Sequence, residues 1–177
     1  MKKTKEIMRI APFFVNVTVW IGIIAWLYYM LAPSLPRFFS RGYTEDVYKS
    51  LEHAYNTSQY RIKEHPGIIP DETVFSYAAG AYVRGIDPIM INSEHAPLGK
   101  YFLALSIILF QNDALPILIG GLVSLIGLWQ LSQKIIGRSI WAFIPVIILS
   151  LDRLFLDQFR TVPLLDLMQL PFIIYTV

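Results

Sequence analysis

Residues 71–100 read DETVFSYAAGAYVRGIDPIMINSEHAPLGK, and long apolar segments lie on both sides of this stretch. Asp71 and Glu72 open an apolar run that contains one glycine and no proline up to Val83, and Arg84 and Gly85 close it. Asp71 is a favourable N-cap residue, acids suit the positive end of a helix, and glycine often adopts the left-handed conformation after the last turn. The pattern therefore predicts a helix over 71–84.

The predicted helix 71–84 carries apolar and aromatic side chains and almost no charge between its ends. Such a composition suits a helix that lies on a membrane surface with its aromatic rings at the depth of the lipid headgroups. The sequence therefore predicts an amphipathic surface helix within a loop that spans residues 37–97.

The composition of the whole chain indicates a membrane protein. Of its 177 residues, 55% are hydrophobic and 16% are charged, which exceeds the apolar content that a soluble domain of this size needs. The net charge is +2 and the basic residues are scattered, so no nucleic-acid partner is expected. The absence of cysteine excludes disulfides, thiolate metal sites and thiol nucleophiles.

The apolar runs predict an all-α, polytopic bundle of about five transmembrane helices, the last of them incomplete. The first span is residues 10–36, which hold no charge, and the remaining spans lie within 98–177. A cleavable signal peptide is the competing interpretation of 10–36, but a retained anchor is favoured because a good cleavage site is missing. Four basic residues against one acid precede the first span. They predict a cytoplasmic N-terminus, an exterior loop 37–97, and one multi-pass module in the cell membrane over 1–177.

Two features of the second half conflict with simple alternation of five spans. Lys134 and Arg138 would lie outside, against the tendency of positive charge to stay in the cytoplasm, and Arg160 would face the cytoplasm. The spacing of Arg153, Asp157 and Arg160 also predicts ion pairs along one helix face. Whether this charged cluster lies at membrane depth or in an interfacial loop stays open.

Three short segments resemble the protein O-mannosyltransferases and related polytopic transferases of lipid-linked sugars. The segments are Asp71-Glu72, HAPLGK at 95–100 and FRTVPLLD at 159–166. They are similar to the Asp-Glu pair, the His-Pro-Pro-Leu-Gly-Lys motif and the Ser-Arg-x-x-Leu-Leu-Asp element of that family. The chain departs from these motifs at Ala96, which replaces a proline, and at Phe159, which replaces a serine.

The resemblance implies a function for the chain as the N-terminal module of a membrane glycosyltransferase. Such an enzyme transfers a sugar, often mannose, from a polyprenyl-phosphate donor to a hydroxyl of an acceptor protein or glycan on the exterior side. The resemblance also implies that Asp71 is the catalytic base and that the region around His95 helps to bind the donor phosphate.

The chemistry of the reaction suggests further roles. Asp71 and Glu72 are the candidate catalytic residues, and Lys100, His95 and Arg160 are the candidates for binding the donor phosphate, since cations stabilise a phosphate leaving group. Glu94 and His95 are side chains that suit a divalent cation, although ordinary surface roles for both stay open. No cofactor is certain from the sequence.

A second function remains open beside the transferase. The chain could be a non-catalytic membrane subunit or scaffold, or a truncated and inactive homologue of such a transferase. In the transferase interpretation, activity is expected of a full-length protein with further transmembrane segments or a partner subunit rather than of these 177 residues alone. Membrane lipid is a partner in both interpretations.

Overall fold

The computed structural model describes residues 2–40, 42–93 and 97–177. Within these ranges the protein is helical, and an isolated bridge joins Ser58 to Gly67. The helices are α1 (Lys2–Leu31), α2 (Leu35–Phe39), α3 (Glu45–Asn56), α4 (Asp71–Val83), α5 (Pro97–Phe110), α6 (Leu115–Ile136), α7 (Ile144–Leu151), α8 (Arg153–Arg160) and α9 (Asp166–Thr176). Short 3₁₀ turns occur at Pro88–Met90 and Ile140–Phe143.

The prediction of five spans is wrong. Within the described ranges, two helical segments are long and apolar enough to cross a membrane, Phe14–Leu31 of α1 and Leu115–Ile136 of α6. The apolar segments Pro97–Phe110 and Ile140–Leu151 are shorter. A 14-residue helix such as α5 reaches ~21 Å at 1.5 Å per residue, which is less than the ~30 Å of the hydrocarbon core.

The helices α1 and α6 run antiparallel. The side-chain amide of Asn112, just before α6, donates to the carbonyl of Phe38 at 2.7 Å, beyond the C-terminal end of α1. Further along α6, the ring of Trp129 contacts the ring of Trp20 edge to face at 5.9 Å. Since positions later in α6 meet positions earlier in α1, the two helices run in opposite directions.

Both ends of α5 lie at the end of this helix pair where α6 begins. Its last residue, Phe110, precedes Asn112 by two positions, and its start at Gly99 lies against Leu165 so closely that a Cβ would be 3.0 Å from the Leu165 side chain. The turn after Leu165 lies against Gly120, near the start of α6. The segment that the sequence assigned to a second span therefore returns to the side from which it came.

The antiparallel pairing of α1 and α6 bears on the conflict that simple alternation produced. Lys134 and Arg138, at the C-terminal end of α6, lie at the same end of the helix pair as the basic N-terminus. Arg160 lies at the opposite end, where its guanidinium donates to the Met30 carbonyl at 3.4 Å. This arrangement agrees with the positive-inside tendency.

The segment after α6 returns along α1 and is broken at Asp152. The indole N–H of Trp26 donates to the carbonyl of Ser150 at 3.2 Å, and the carboxylate of Asp152 then caps α8 by accepting from the Phe155 N–H at 2.8 Å. The predicted ion pairs are confirmed, with Asp157 3.5 Å from Arg153 and 3.0 Å from Arg160. The Arg153 side chain is 92% exposed, so its charge is not enclosed by protein.

Glycines on α6 allow α9 to pack closely alongside it. A Cβ on Gly120 would lie 2.8 Å from the carbonyl oxygen of Leu167, and one on Gly127 would lie 2.9 Å from the Tyr175 ring. Gly127 follows Gly120 by seven residues on α6, and Tyr175 follows Leu167 by eight residues on α9. Because the contacts advance in the same direction along both helices, α6 and α9 run parallel. Small residues permit such close approach of helix backbones.

The prediction of an amphipathic surface helix at 71–84 is wrong in its placement. The helix α4 ends one residue earlier, at Val83, and Gly85 has a φ of +77° as expected after a helix end. Between Val74 and Ala81, however, every residue of α4 is buried. The helices α3 and α5 cover α4, so its apolar side chains contact protein instead of a membrane surface.

Candidate functional site

A cavity of about 290 Å³ lies where α4, α5 and α9 begin. It is called the polar cavity below. Its wall includes residues from each of the three segments that resemble transferase motifs: Asp71, Gly99 and Asp166. The lining residues are Asp71, Phe75, Leu98, Gly99, Phe102, Leu164, Leu165, Asp166, Met168, Gln169 and Phe172. Residues separated by up to 101 positions in the sequence, from Asp71 to Phe172, therefore meet at one site.

Asp71 is the first residue of α4, after Pro70 at the N-cap position. This corrects the prediction that Asp71 itself is the N-cap. Its side chain is exposed to the cavity and accepts a hydrogen bond from the Tyr60 hydroxyl at 3.2 Å. Glu72 is half-buried and lies outside the described lining of the polar cavity. Of the two predicted catalytic residues, the structure thus places Asp71 at the cavity.

Tyr60 is held in place by a stack of tyrosine rings between α3 and α4. The ring of Tyr60 stacks on Tyr55 at 5.9 Å, Tyr55 stacks on Tyr77 at 4.8 Å, and Tyr77 stacks on Tyr48 at 5.7 Å. The guanidinium of Arg84 covers the far end of the stack, 3.6 Å from the centroid of Tyr48. Rigid stacking of this kind fixes the position of the Tyr60 hydroxyl and, through it, of the Asp71 carboxylate.

Asp166 supplies a second carboxylate to the polar cavity. It is the first residue of α9, and one of its oxygens accepts a hydrogen bond from the side-chain amide of Gln158 at 3.2 Å. Gly99 admits the adjacent Leu165 to the first turn of α5, where a Cβ would lie 3.0 Å from the Leu165 side chain and this side chain would have to shift. Gly99 and Leu165 therefore shape the wall between the two carboxylates.

Three helix N-termini converge on this cavity, because α4, α5 and α9 begin at Asp71, Pro97 and Asp166. The first N–H groups of a helix have no acceptor inside the helix, and the N-terminus carries a partial positive charge of about half a unit. These groups offset the two carboxylates. They also give the cavity a means of attracting the phosphate of a ligand.

Lys100 is fully buried and lies outside the described lining of the polar cavity. Its ammonium group donates to the carbonyl of Asn92 at 2.6 Å and lies 6.0 Å from the centre of the Phe75 ring. Burial lowers the pKa of Lys100 from its ordinary 10.5 to about 8. The amine thus holds the loop residue Asn92 close to Phe75 of α4.

The lowered pKa predicts a pH-dependent contribution of Lys100 to stability. Below about pH 8 the amine is charged in the folded and unfolded states and burial carries its full cost, whereas above its ordinary pKa of 10.5 it is neutral in both. Wild type should therefore gain stability relative to Lys100→Met as the pH rises from 8. Thermal melting of both proteins in detergent across this interval measures the difference. A constant or falling difference would contradict this burial of the amine.

Arg160, another predicted phosphate ligand, lies outside the described lining of the polar cavity. Arg160 bonds Asp157 at 3.0 Å and the Met30 carbonyl at 3.4 Å, and its own carbonyl accepts from Arg37 at 2.5 Å. These contacts tie α8 to the end of α1. Glu94 and His95 lie outside the described residues, so their roles in phosphate or metal binding remain predictions. Among residues 2–40, 42–93 and 97–177, no group of three or more potential metal ligands occurs.

An apolar groove of about 270 Å³ adjoins the polar cavity between α5, α6 and α9. The two share Phe102, Met168 and Phe172 as walls. The groove is otherwise lined by Leu105, Ser106, Leu109, Phe110, Pro116, Ile119, Gly120, Val123 and Pro171. The polar cavity and the apolar groove together form a site with a polar end and an apolar end.

A buried polar cluster that the sequence did not indicate anchors α4 from the other side. Asp113 has no exposed surface and accepts a hydrogen bond from the Ser76 hydroxyl, and the Tyr43 hydroxyl donates to the Ser76 carbonyl at 2.8 Å. Burial, with the nearby Asp113 carboxylate, raises the pKa of Tyr43 well above its ordinary range. In the sequence Asp113 had only the pattern of a turn residue between two apolar helices.

In comparisons with known proteins, no family model matches this chain, and no curated protein or solved structure matches it. The resemblance to protein O-mannosyltransferases therefore rests on the three short segments themselves. Their meeting at the polar cavity is a separate, structural observation.

Proposed function

We propose that the chain forms the donor site of a membrane glycosyltransferase that uses a polyprenyl-phosphate sugar. The observation that carries the proposal is the meeting of Asp71, Gly99 and Asp166 at one cavity, since each comes from a different segment with transferase-like sequence. Mannose as the sugar and a protein or glycan hydroxyl as the acceptor follow from the resemblance.

In the proposed reaction the Asp71 carboxylate accepts the proton of the acceptor hydroxyl. The hydroxyl oxygen attacks the anomeric carbon, a new glycosidic bond forms, and the bond between that carbon and the phosphate oxygen breaks. The polyprenyl phosphate leaves with the bonding electron pair, and the anomeric configuration inverts. A carboxylate is a weak base, so its effect depends on the fixed position that Tyr60 provides at 3.2 Å.

The phosphate of the donor is placed at the convergent N-termini of α4, α5 and α9. This assignment replaces Lys100 and Arg160, whose charged groups are engaged with Asn92 and with Asp157 away from the cavity wall. Helix N-termini bind phosphate through free N–H groups and their partial positive charge. The same charge stabilises the leaving phosphate as the glycosidic bond to it breaks.

The apolar groove provides the place for the first isoprene units of the donor. It opens from the polar cavity past Phe102, Met168 and Phe172, so a lipid whose phosphate lies in the cavity can continue into it. The groove is bordered by α6, one of the two segments in the described part of the chain that are long enough to cross a membrane. A polyprenyl chain could thus remain in contact with lipid on one side.

One observation favours the non-catalytic alternative, namely the position of the predicted cations. Lys100 is enclosed and Arg160 lies beside α1, so neither lines the described cavity. A subunit that binds a lipid-linked sugar without transferring it would need the groove and the helix N-termini but no base. Transfer and binding assays on the same preparation separate the two functions.

The test of the proposed function is sugar transfer in membranes that contain the protein. Membranes with and without a full-length protein that carries this module are incubated with a radiolabelled polyprenyl-phosphate mannose and a hydroxyl-bearing acceptor peptide. The expected result is label on the acceptor that depends on that protein. Donor binding without transfer would support the scaffold function, and neither binding nor transfer would contradict both.

Replacing Tyr60 by phenylalanine removes the hydroxyl that orients Asp71 and keeps the ring in the tyrosine stack. Loss of one hydrogen bond to a charged group is worth ~1.5–3 kcal/mol, and exposure of Asp71 to solvent reduces this value, so transfer should fall by about 10-fold. Donor binding should be unchanged. The matched control is Tyr28→Phe, which removes an exposed hydroxyl on α1. Equal transfer by Tyr60→Phe and wild type would exclude this orienting role.

A further inference from the structure

The exposed face of α5 is a continuous apolar stripe. Leu98, Tyr101, Leu105, Ile108 and Leu109 recur at the spacing of one helix face, and their exposed fractions lie between 48% and 63%. Between Tyr101 and Phe110 the helix carries no charged residue. Soluble proteins rarely expose an apolar strip of this length.

The opposite face of α5 is covered by protein and contains its polar groups. Lys100, Leu103, Ala104, Ser106 and Ile107 are buried on that side. The helix therefore buries its amine and hydroxyl together with three apolar side chains, and it leaves a second apolar face outside the protein. A helix at the surface of a water-soluble protein presents polar side chains on that outer face.

Length and connection exclude a crossing orientation for this stripe. The helix has 14 residues, and both its ends lie at the end of the helix pair where α6 begins. The stripe also adjoins α6 at the apolar groove, which is lined by Leu105 and Leu109 of α5 and by the exposed Ile119 of α6. Because the α5 stripe adjoins the outward face of α6, a candidate span, the stripe and that face contact the same solvent.

We infer that α5 lies in the plane of the membrane, with its apolar stripe embedded in one leaflet of the bilayer. Lipid acyl chains cover the stripe, and they contact its uncharged side chains at a depth of ~5–10 Å below the headgroups. In this orientation the polar cavity opens at the level of the headgroups and the apolar groove opens towards the acyl chains. The inference rests on the proposed membrane location of the chain, and its test separates the two.

The test uses the absence of native cysteine, which allows single spin labels at chosen positions. Leu98→Cys and Leu109→Cys place labels 11 residues apart on one face of α5. In lipid vesicles, collision rates with oxygen and with a water-soluble nickel chelate give the depth of each label. Ile21→Cys on α1 serves as the lipid-facing control because Ile21 is 61% exposed, and Lys49→Cys on α3 serves as the aqueous control.

The expected result is high oxygen access at both α5 positions and depths that agree within about 5 Å, the scatter of an embedded in-plane helix. A crossing helix would separate the two labels by ~16 Å, and that result would overturn the inference. Access of both labels to the nickel chelate, or to neither reagent, would overturn it as well, because water or protein would then cover the stripe. A water-exposed Ile21 label would instead refute the membrane location itself, and with it the proposed function.

Discussion

Asp71→Asn is expected to lower sugar transfer by about 10²–10⁴-fold, the range that a positioned general base contributes. The asparagine keeps the size of the side chain and can still accept the hydrogen bond from Tyr60, which is 3.2 Å away in the wild type. The variant should therefore fold and bind donor, because a base acts mainly in the transition state. Transfer of radiolabelled mannose and equilibrium binding of the donor measure the two effects separately.

The control for this variant is Asp46→Asn, which makes the same change in the first turn of α3, away from the cavity wall. It should transfer sugar at the wild-type rate. Glu72→Gln should lose less transfer activity than Asp71→Asn, since Glu72 is half-buried and lies outside the described lining of the polar cavity. Transfer near the wild-type rate by a folded Asp71→Asn protein would remove the carboxylate from the mechanism.

Gly120→Ala is expected to lower the free energy of unfolding by about 1–3 kcal/mol, the usual cost of inserting a group into a closely packed interface. The new Cβ would lie 2.8 Å from the carbonyl oxygen of Leu167. A backbone atom cannot rotate away as a side chain can, so α9 must shift as a whole. Since α9 begins at Asp166, this shift should also displace the second carboxylate of the polar cavity.

The matched control is Gly22→Ala on α1, where a Cβ meets no atom within 4 Å. Alanine favours a helix over glycine by ~1 kcal/mol, so this variant should be as stable as wild type or more stable. Thermal melting in the same detergent compares the three proteins. Equal melting of Gly120→Ala and Gly22→Ala would contradict the close packing of α6 on α9.

The limits of helix α4 were predictable from local signals, but its environment was not. Acids at Asp71 and Glu72 and a glycine at Gly85 mark the ends of the helix, and the structure places the last helical residue at Val83. An apolar helix fits a lipid interface and a protein interior equally well. Which of the two it occupies depends on distant segments, here α3 and α5, that no local pattern specifies.

The predicted number of membrane crossings was wrong for a similar reason. The apolar run over 98–110 was predicted to cross, but α5 has 14 residues, and the hydrogen bond from Asn112 to Phe38 holds the segment after it beside the end of α1. Each assumed crossing exchanges the sides expected for all later segments. The conflict at Lys134 and Arg138 was a sign in the sequence that the alternation of five spans was wrong.

The walls of the polar cavity include residues of the transferase-like segments, whereas the tertiary contacts around them were not predictable from the sequence. Asp71 and Gly99 come from quoted motifs and line the polar cavity, as does Asp166. Lys100 was expected at the donor phosphate because lysine commonly binds phosphate, yet it is enclosed under α4. Tyr60 had no signal in its own segment, since its role arises from a ring stack that joins two helices.

Photo-crosslinking of the donor measures whether the polar cavity and the apolar groove bind a polyprenyl-phosphate sugar. The probe is a polyprenyl-phosphate mannose with a diazirine on the isoprene unit next to the phosphate, added to the protein in lipid vesicles. If the donor binds there, crosslinks form at the shared walls Phe102, Met168 and Phe172 and are suppressed by excess unmodified donor. Crosslinks that spread over the exposed face of α1 and are unaffected by that excess would contradict this binding site.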